Sequence, residues 1–241
     1  FHTGTEVGKD IKFAELREKH DAVFIATGYP CTRPMDIPGS DHTDVKMAME
    51  FLAASADYVR GVGEMPEIED DVVVVGSGNV AFDVARTLVR FQNEKYGKSK
   101  VEMLALEREE QIPADTEEVM EGREEGILME LGCGPQRIEI DEKTGEIIGV
   151  EASVCTRLFD ENHRFSPEFD HTRKVCLDTK QVYLAIGQMA DLTYIPEEIK
   201  DQIKIERGKI QVNEDNQVAG VPWLYAGGDL TRGMDIINGV A

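Results

Sequence analysis

Basic residues are scarce in this chain. Of its 241 residues, 26 are Lys or Arg and 47 are Asp or Glu, giving a formal net charge of −21. A field of that sign repels nucleic acid and anionic membrane, so neither is an expected partner. Long apolar runs are absent: none reaches the roughly 18 residues of a membrane span, and no secretory leader is visible. Cysteine is limited to Cys31, Cys133, Cys155 and Cys176, with no Cys-x-x-Cys pair, so zinc and thioredoxin-like chemistry lack support. Five scattered histidines give no metal-ligand spacing, and no metal site is expected. Reduced thiols are the default, and the composition fits a cytoplasmic protein. Solubility is the simpler reason for the acidity; docking of a basic partner is the alternative.

What the chain does have is one dense motif. Asp71-Val72-Val73-Val74-Val75-Gly76-Ser77-Gly78-Asn79-Val80-Ala81 is an apolar strand running into Gly-x-Gly-x-x-Ala and then a helix. Gly76 permits the tight turn. Gly78 has no side chain to hold phosphates off the backbone, and Ala81 lets helix and strand pack closely. This layout sets a dinucleotide pyrophosphate on a helix N-terminus. Asn79 either caps that helix or donates to the cofactor. Val80, Ala81, Val84, Ala85, Leu88 and Val89 form one apolar stripe along it. A strand over residues 101–106 completes a βαβ unit with a right-handed crossover. At its end, Glu107 is able to accept from both adenosine-ribose hydroxyls and would repel a 2′-phosphate. Arg108 beside it is able to reach such a phosphate.

Around this unit the pattern is α/β. Residues 11–19 and 45–58 have helical spacing, and residues 21–28 form a short buried strand. Pro30, Pro34 and Pro38 forbid regular helix, so the segment that holds them is a loop or crossing linker, with Cys31 a plain loop thiol. Residues 61–69 form a second linker. Residues 114–131 read as one acidic helix closed by Gly132. Glu117, Glu118, Glu121, Glu124 and Glu125 make its solvated face, while Val119, Ile127, Leu128 and Leu131 pack. Asp83 and Arg86, three apart on one helix, are able to pair. Strands at 136–140, 147–157 and 174–177 form an antiparallel meander, followed by a buried strand at 181–187. Short strands at 210–212 and 221–226 follow, the second ending in Gly227-Gly228-Asp229, where a carboxylate can accept from a sugar-chain hydroxyl. Phe24-Ile25-Ala26-Thr27-Gly28 and Tyr183-Leu184-Ala185-Ile186-Gly187 share the form aromatic-aliphatic-Ala-x-Gly. They read as equivalent closing strands of two nucleotide-binding domains, one inserted in the other. The chain begins at Phe1 without Met and ends at Ala241 inside a helical pattern, so it is read as an excised piece of a longer protein, a processed N-terminus being the alternative.

In order, Ala26-Thr27-Gly28, Gly76-x-Gly78-Asn79-Val80-Ala81-x-Asp83-Val84-Ala85-Arg86, Ile112-Pro113-Ala114, Leu184-Ala185-Ile186-Gly187-Gln188 and Ala226-Gly227-Gly228-Asp229 make up a recurring set. It resembles the flavin-dependent NAD(P)H oxidoreductases of the glutamate-synthase small-subunit type, within the pyridine nucleotide-disulfide oxidoreductase superfamily. The same module occurs in dihydropyrimidine dehydrogenase and in electron-transfer subunits of ferredoxin-linked reductases. The resemblance spans nearly the whole chain. It implies two Rossmann-like, three-layer ββα domains: a nicotinamide-dinucleotide domain at 69–187 inserted into a split, incomplete FAD domain at 1–68 and 188–241. Hydride would pass between NADH and FAD where the domains meet, and electrons onward to iron–sulfur centres of a larger reductase. FAD carries the redox chemistry, so no catalytic side chain is expected. Gly76, Ser77, Gly78, Asn79, Val80, Ala81, Glu107, Arg108 and Gly187 would border the nicotinamide cofactor, and Thr27, Gly28, Gly228 and Asp229 the FAD.

Two departures bear on this resemblance. The family's N-terminal iron–sulfur domain and first FAD phosphate loop have no counterpart in these residues, so the piece is not expected to retain FAD alone. NADPH-dependent members carry an Arg pair where Leu106 and Glu107 stand, followed here by Arg108, which favours NADH over NADPH. Three alternatives stay open: an NADPH-dependent glutamate synthase small subunit, a non-catalytic nucleotide-binding scaffold subunit, and a disulfide oxidoreductase whose redox cysteine pair lies upstream.

Overall fold

The computed structural model describes residues 1–206 and 208–233; the helix expected to run to Ala241 lies outside the described residues. The chain opens with α1 (Phe13–Lys19), β1 (Val23–Ile25) and the two-residue β2 (Cys31–Thr32). β3 (Val45–Met47) runs directly into α2 (Ala48–Val59). β4 (Val72–Val75), α3 (Asn79–Tyr96) and β5 (Val101–Ala105) make the βαβ unit, followed by α4 (Thr116–Glu124) and β6 (Leu128–Leu131). The meander is β7 (Cys133–Ile140), β8 (Ile147–Phe159) and β9 (Phe165–Asp178), and β10 (Gln181–Leu184) returns from it. β11 (Gln188–Met189), α5 (Glu197–Lys200), β12 (Ile205–Glu206), β13 (Lys209–Ile210), β14 (Leu224–Ala226) and α6 (Asp229–Arg232) complete the order.

The chain divides into two compact units, one of residues 32–187 and one of residues 1–31 with 188–241. The larger unit is built on a five-stranded sheet in the order β3-β10-β4-β5-β6, parallel throughout. All four β4 valines are buried, because both faces of the sheet are covered. Val72, Val74, Met103 and Tyr183 face α2, α3 and α4. Val73, Val75, Leu104, Val182 and Leu184 face the β7-β8-β9 meander. The unit is therefore a three-layer ββα sandwich. Phe82, Val84 and Leu88 of α3 are fully buried, each contributing about 1.5–3 kcal/mol of hydrophobic stabilisation.

Three differences from the sequence reading bear on how the larger unit is built. The larger unit starts at Thr32, well upstream of residue 69. The reason is that β3 adds to the open edge of β10, and Phe51 of α2 packs edge-on against Tyr183 with ring centroids 4.8 Å apart. Secondly, residues 45–47 are strand rather than the start of a helix. Thirdly, the acidic helix ends at Glu124. Gly126 takes a left-handed φ of 90°, and residues 128–131 pair with β5 as the sheet's last strand. Val119 and Ile127 are buried as expected, whereas Leu128 is exposed on that edge strand.

In the smaller unit β1 and β14 pair in parallel, Val23 opposite Leu224 and Ile25 opposite Ala226. Phe13, Ile25, Ile195, Ile210, Leu224 and Leu230 form part of its separate core.

Candidate functional site

The Gly-rich loop leaves β4 at the C-terminal edge of the parallel sheet. From β4 the chain moves to β5 on one side, while β10 joins on the other, so β4 marks the point where strand order reverses. Open α/β sheets bind ligands in the crevice outside such a point. Gly76 has a φ of 131°, and a Cβ there would lie 2.4 Å from the Ala185 carbonyl oxygen. No other residue fits between the β4 and β10 ends. A Cβ on Gly78, in contrast, would meet nothing within 4 Å. That glycine leaves open room directly in front of the first turn of α3, where the Asn79 and Val80 N–H groups precede any helical carbonyl, while the Ala81 N–H already donates to the Gly78 carbonyl at 2.9 Å. The donor set and the cleared space fit a dinucleotide pyrophosphate.

Glu107 closes the loop on the β5 side. Its carboxylate accepts a 2.8 Å hydrogen bond from the buried Ser77 hydroxyl, and its own carbonyl accepts from the Gly132 N–H at 2.8 Å. The carboxylate is thus held at the strand end, half-buried, with Arg108 exposed beside it. Gly187 lies past the end of β10, the other neighbour of β4. The structure therefore brings Gly76, Ser77, Gly78, Ala81, Glu107 and Gly187 to one edge of one sheet.

Asn79 does not cap α3; Gly78 holds the cap position with no side-chain bond. The Asn79 amide instead donates to the Asp115 carboxylate at 2.9 Å and accepts from the Asp115 N–H at 2.8 Å. Asp115 is the cap residue of α4, so this pair ties the two helix starts together. The Pro113-Ala114-Asp115 run before a helical stretch was the signal available for it. Arg86 does not form an ion pair with Asp83. Its guanidinium sits among Glu118, Glu121 and Glu125 of the α4 region at 2.6–2.9 Å, and Arg90 joins at Glu125. The acidic face is in part a clamp rather than a solvated surface. Burial pushes the Glu125 carboxyl up, but hydrogen bonds from Arg86 and Arg90 outweigh it and hold it below the usual carboxylate range.

In the smaller unit the β1 and β14 ends lie side by side, with the Gly227 N–H donating to the Ile25 carbonyl at 3.0 Å. Gly28 faces the Asp229 carboxylate, whose Oδ2 lies 4.0 Å from a Cβ placed on that glycine. The Thr27 hydroxyl is 3.2 Å from that of Tyr194. A cavity of about 530 Å³ follows β1, lined by Phe13, Phe24, Thr27, Pro30 and Tyr194 among others. Thr27, Gly28, Gly228 and Asp229 are thus gathered at one pair of strand ends, where a ribityl or phosphate group would find both glycine backbone and a carboxylate.

A family model for pyridine nucleotide-disulphide oxidoreductases matches residues 4–240. The chain belongs to this family. Among curated relatives is the NADPH-Fe(3+) oxidoreductase subunit beta of Geobacter sulfurreducens, 34% identical over 201 residues, which cover 81% of this chain and 28% of that protein. The glutamate synthase [NADPH] small chain of Halomonas elongata is 30% identical over 98% of this chain and 50% of its own length. The putative oxidoreductase AegA of Escherichia coli is 29% identical over 98% of this chain and 36% of its length. The chain therefore spans half or less of each. Among solved structures, Mycobacterium tuberculosis FprA in complex with NADPH superposes with a TM-score of 0.76 at 17% identity, covering 98% of this chain and 63% of that one. Thioredoxin reductase of T. acidophilum gives 0.58 at 18% identity, over 91% and 61%. These likenesses establish the Rossmann-like α/β fold. Among the described residues no helix is long and apolar enough to cross a membrane, and no His, Cys, Asp and Glu cluster suits a metal.

Proposed function

We propose that this chain is the nicotinamide-dinucleotide-binding part of an electron-transfer subunit, with residues 32–187 holding NADH and residues 1–31 and 188–241 contributing to an FAD domain. Hydride would pass between the two cofactors and electrons onward to iron–sulfur centres of a larger cytoplasmic reductase. Supporting this reading are family membership and relatives named as an oxidoreductase subunit and as a glutamate synthase small chain. The observation that carries it is the Gly-rich loop joined to a strand-end carboxylate by the Ser77–Glu107 hydrogen bond.

On this reading Gly76, Ser77, Gly78, Asn79, Val80 and Ala81 cradle the pyrophosphate, Glu107 accepts from the adenosine ribose, and Gly187 borders the dinucleotide from the β10 side. Thr27, Gly28, Gly228 and Asp229 border the flavin nucleotide. Bound FAD would supply two-electron uptake from the nicotinamide and one-electron release. The chain's own contribution is binding and orientation: no side chain at either cluster is required to move a proton.

Glu107 argues for NADH, because a fixed carboxylate at the ribose hydroxyls opposes a 2′-phosphate. The second reading, an NADPH-dependent subunit of the glutamate-synthase type, draws on Arg108 and on relatives named for NADPH. Calorimetric titration of the full-length protein separates them. NADH is expected to bind at least tenfold more tightly than NADPH, an advantage of about 1.4 kcal/mol. Glu107→Arg should reverse the order, and Glu107→Gln should narrow it while keeping the Ser77 acceptor. Tighter NADPH binding by the unmodified protein would move the assignment to Arg108.

A further inference from the structure

Arg33 is one of several cations of this acidic chain that form no ion pair among the described residues. Lys100, Lys174 and Lys180 are each matched to a carboxylate, and Arg86 to three. Arg33 is exposed and makes no ion pair or side-chain hydrogen bond with any described residue. Its backbone, however, is fixed. The Arg33 N–H donates to the Gly187 carbonyl at 2.9 Å, and Pro34 behind it confines the Arg33 backbone to extended conformations. The guanidinium lies across Gly187, its Nε 3.8 Å from the position a Cβ on that glycine would take.

Gly187 continues from Ala185, whose N–H donates to the Val75 carbonyl at 2.8 Å and whose carbonyl crowds Gly76. Only Ile186, at a bend, separates the anchored Ala185 from the glycine beneath Arg33, and that glycine takes a left-handed φ of 112°. The side chain arises on the β10 side of the Gly-rich loop, opposite Glu107 on the β5 side. Resting on the reading proposed above, we infer that Arg33 is a further dinucleotide-binding residue, whose guanidinium pairs with the pyrophosphate from the β10 side. The loop offers neutral N–H groups only. A guanidinium carried on this fixed backbone supplies the counter-charge the loop lacks, which a chain of net charge −21 needs in order to hold an anion.

The test is titration of the full-length protein with NADH, ADP-ribose and AMP, for the unmodified protein, Arg33→Gln and Arg33→Lys. The glutamine variant should weaken NADH and ADP-ribose by about the same factor, at least tenfold, and weaken AMP, which carries only one of the two phosphates, by less. The lysine variant should recover most of the loss, which separates charge from any effect on folding. Equal affinities of the unmodified and Arg33→Gln proteins for ADP-ribose would overturn the inference alone. So would a loss confined to NADH, which would assign Arg33 to the nicotinamide half. Failure of the unmodified protein to bind any of the three would overturn the dinucleotide reading itself, and this inference with it.

Discussion

Two glycines in one loop do different work. A methyl group on Gly76 meets the Ala185 carbonyl at 2.4 Å in a backbone conformation that L side chains avoid, whereas one on Gly78 meets open space at an ordinary φ of −82°. Gly76→Ala is therefore expected to cost about 2–3 kcal/mol of stability and to weaken dinucleotide binding with it. Gly78→Ala should leave the urea midpoint within experimental error yet weaken binding strongly, because the methyl occupies the space cleared for phosphate. Equal binding by Gly78→Ala and the unmodified protein would remove the pyrophosphate from this loop. The sequence pattern named both glycines. It did not distinguish them, since the difference depends on β10, which returns more than a hundred residues later.

At the scale of elements, α3 and α4 are joined twice, by Asn79 with Asp115 and by Arg86 with the acidic face of α4. Arg86 is largely buried, and one Glu125 oxygen is buried without a partner. Removing the guanidinium leaves three carboxylates facing one another, so Arg86→Met should lose about 2–3 kcal/mol in chemical denaturation. The pH dependence follows from Glu125, held below its ordinary range by the two arginines. Its stabilisation is complete above the unfolded carboxylate value of about 4.3 and is lost as pH falls through the lower folded value. Acid unfolding of Arg86→Met should begin at a higher pH and show a shallower slope there. Helix spacing alone suggested an Asp83–Arg86 pair. The competing partners lie on another helix, 32–39 residues away, where no local pattern reports them.

For the whole molecule, the position of the unit boundary is the most consequential difference from the sequence reading. Residues 32–68 contain no nucleotide motif and read as linker and helix, yet they supply β3, α2 and the buried Ala48, Phe51 and Ile68 of the helix-side core. A piece comprising residues 32–187 should therefore unfold cooperatively in urea. A piece starting at residue 69 should expose the β10 edge and the Tyr183 ring, and should associate or unfold without a sharp transition. Cooperative unfolding of the shorter piece, at the same midpoint, would return the boundary to residue 69.

Local patterns in the residues specify the α/β class, the βαβ unit with its Gly-rich turn, the antiparallel meander, the buried strand that follows it and the carboxylate at residue 107. These are local matters: apolar runs of strand length, helical spacing and glycines at a turn are written within short windows. It takes the folded chain to show that residues 128–131 are an edge strand, that β3 extends the sheet, that Asn79 serves Asp115, and that Arg86 is held by the α4 region. Each of these depends on which distant segment arrives alongside. Contacts between residues far apart in the chain leave no period in either segment, and the long-range packing that creates them overrides local propensity.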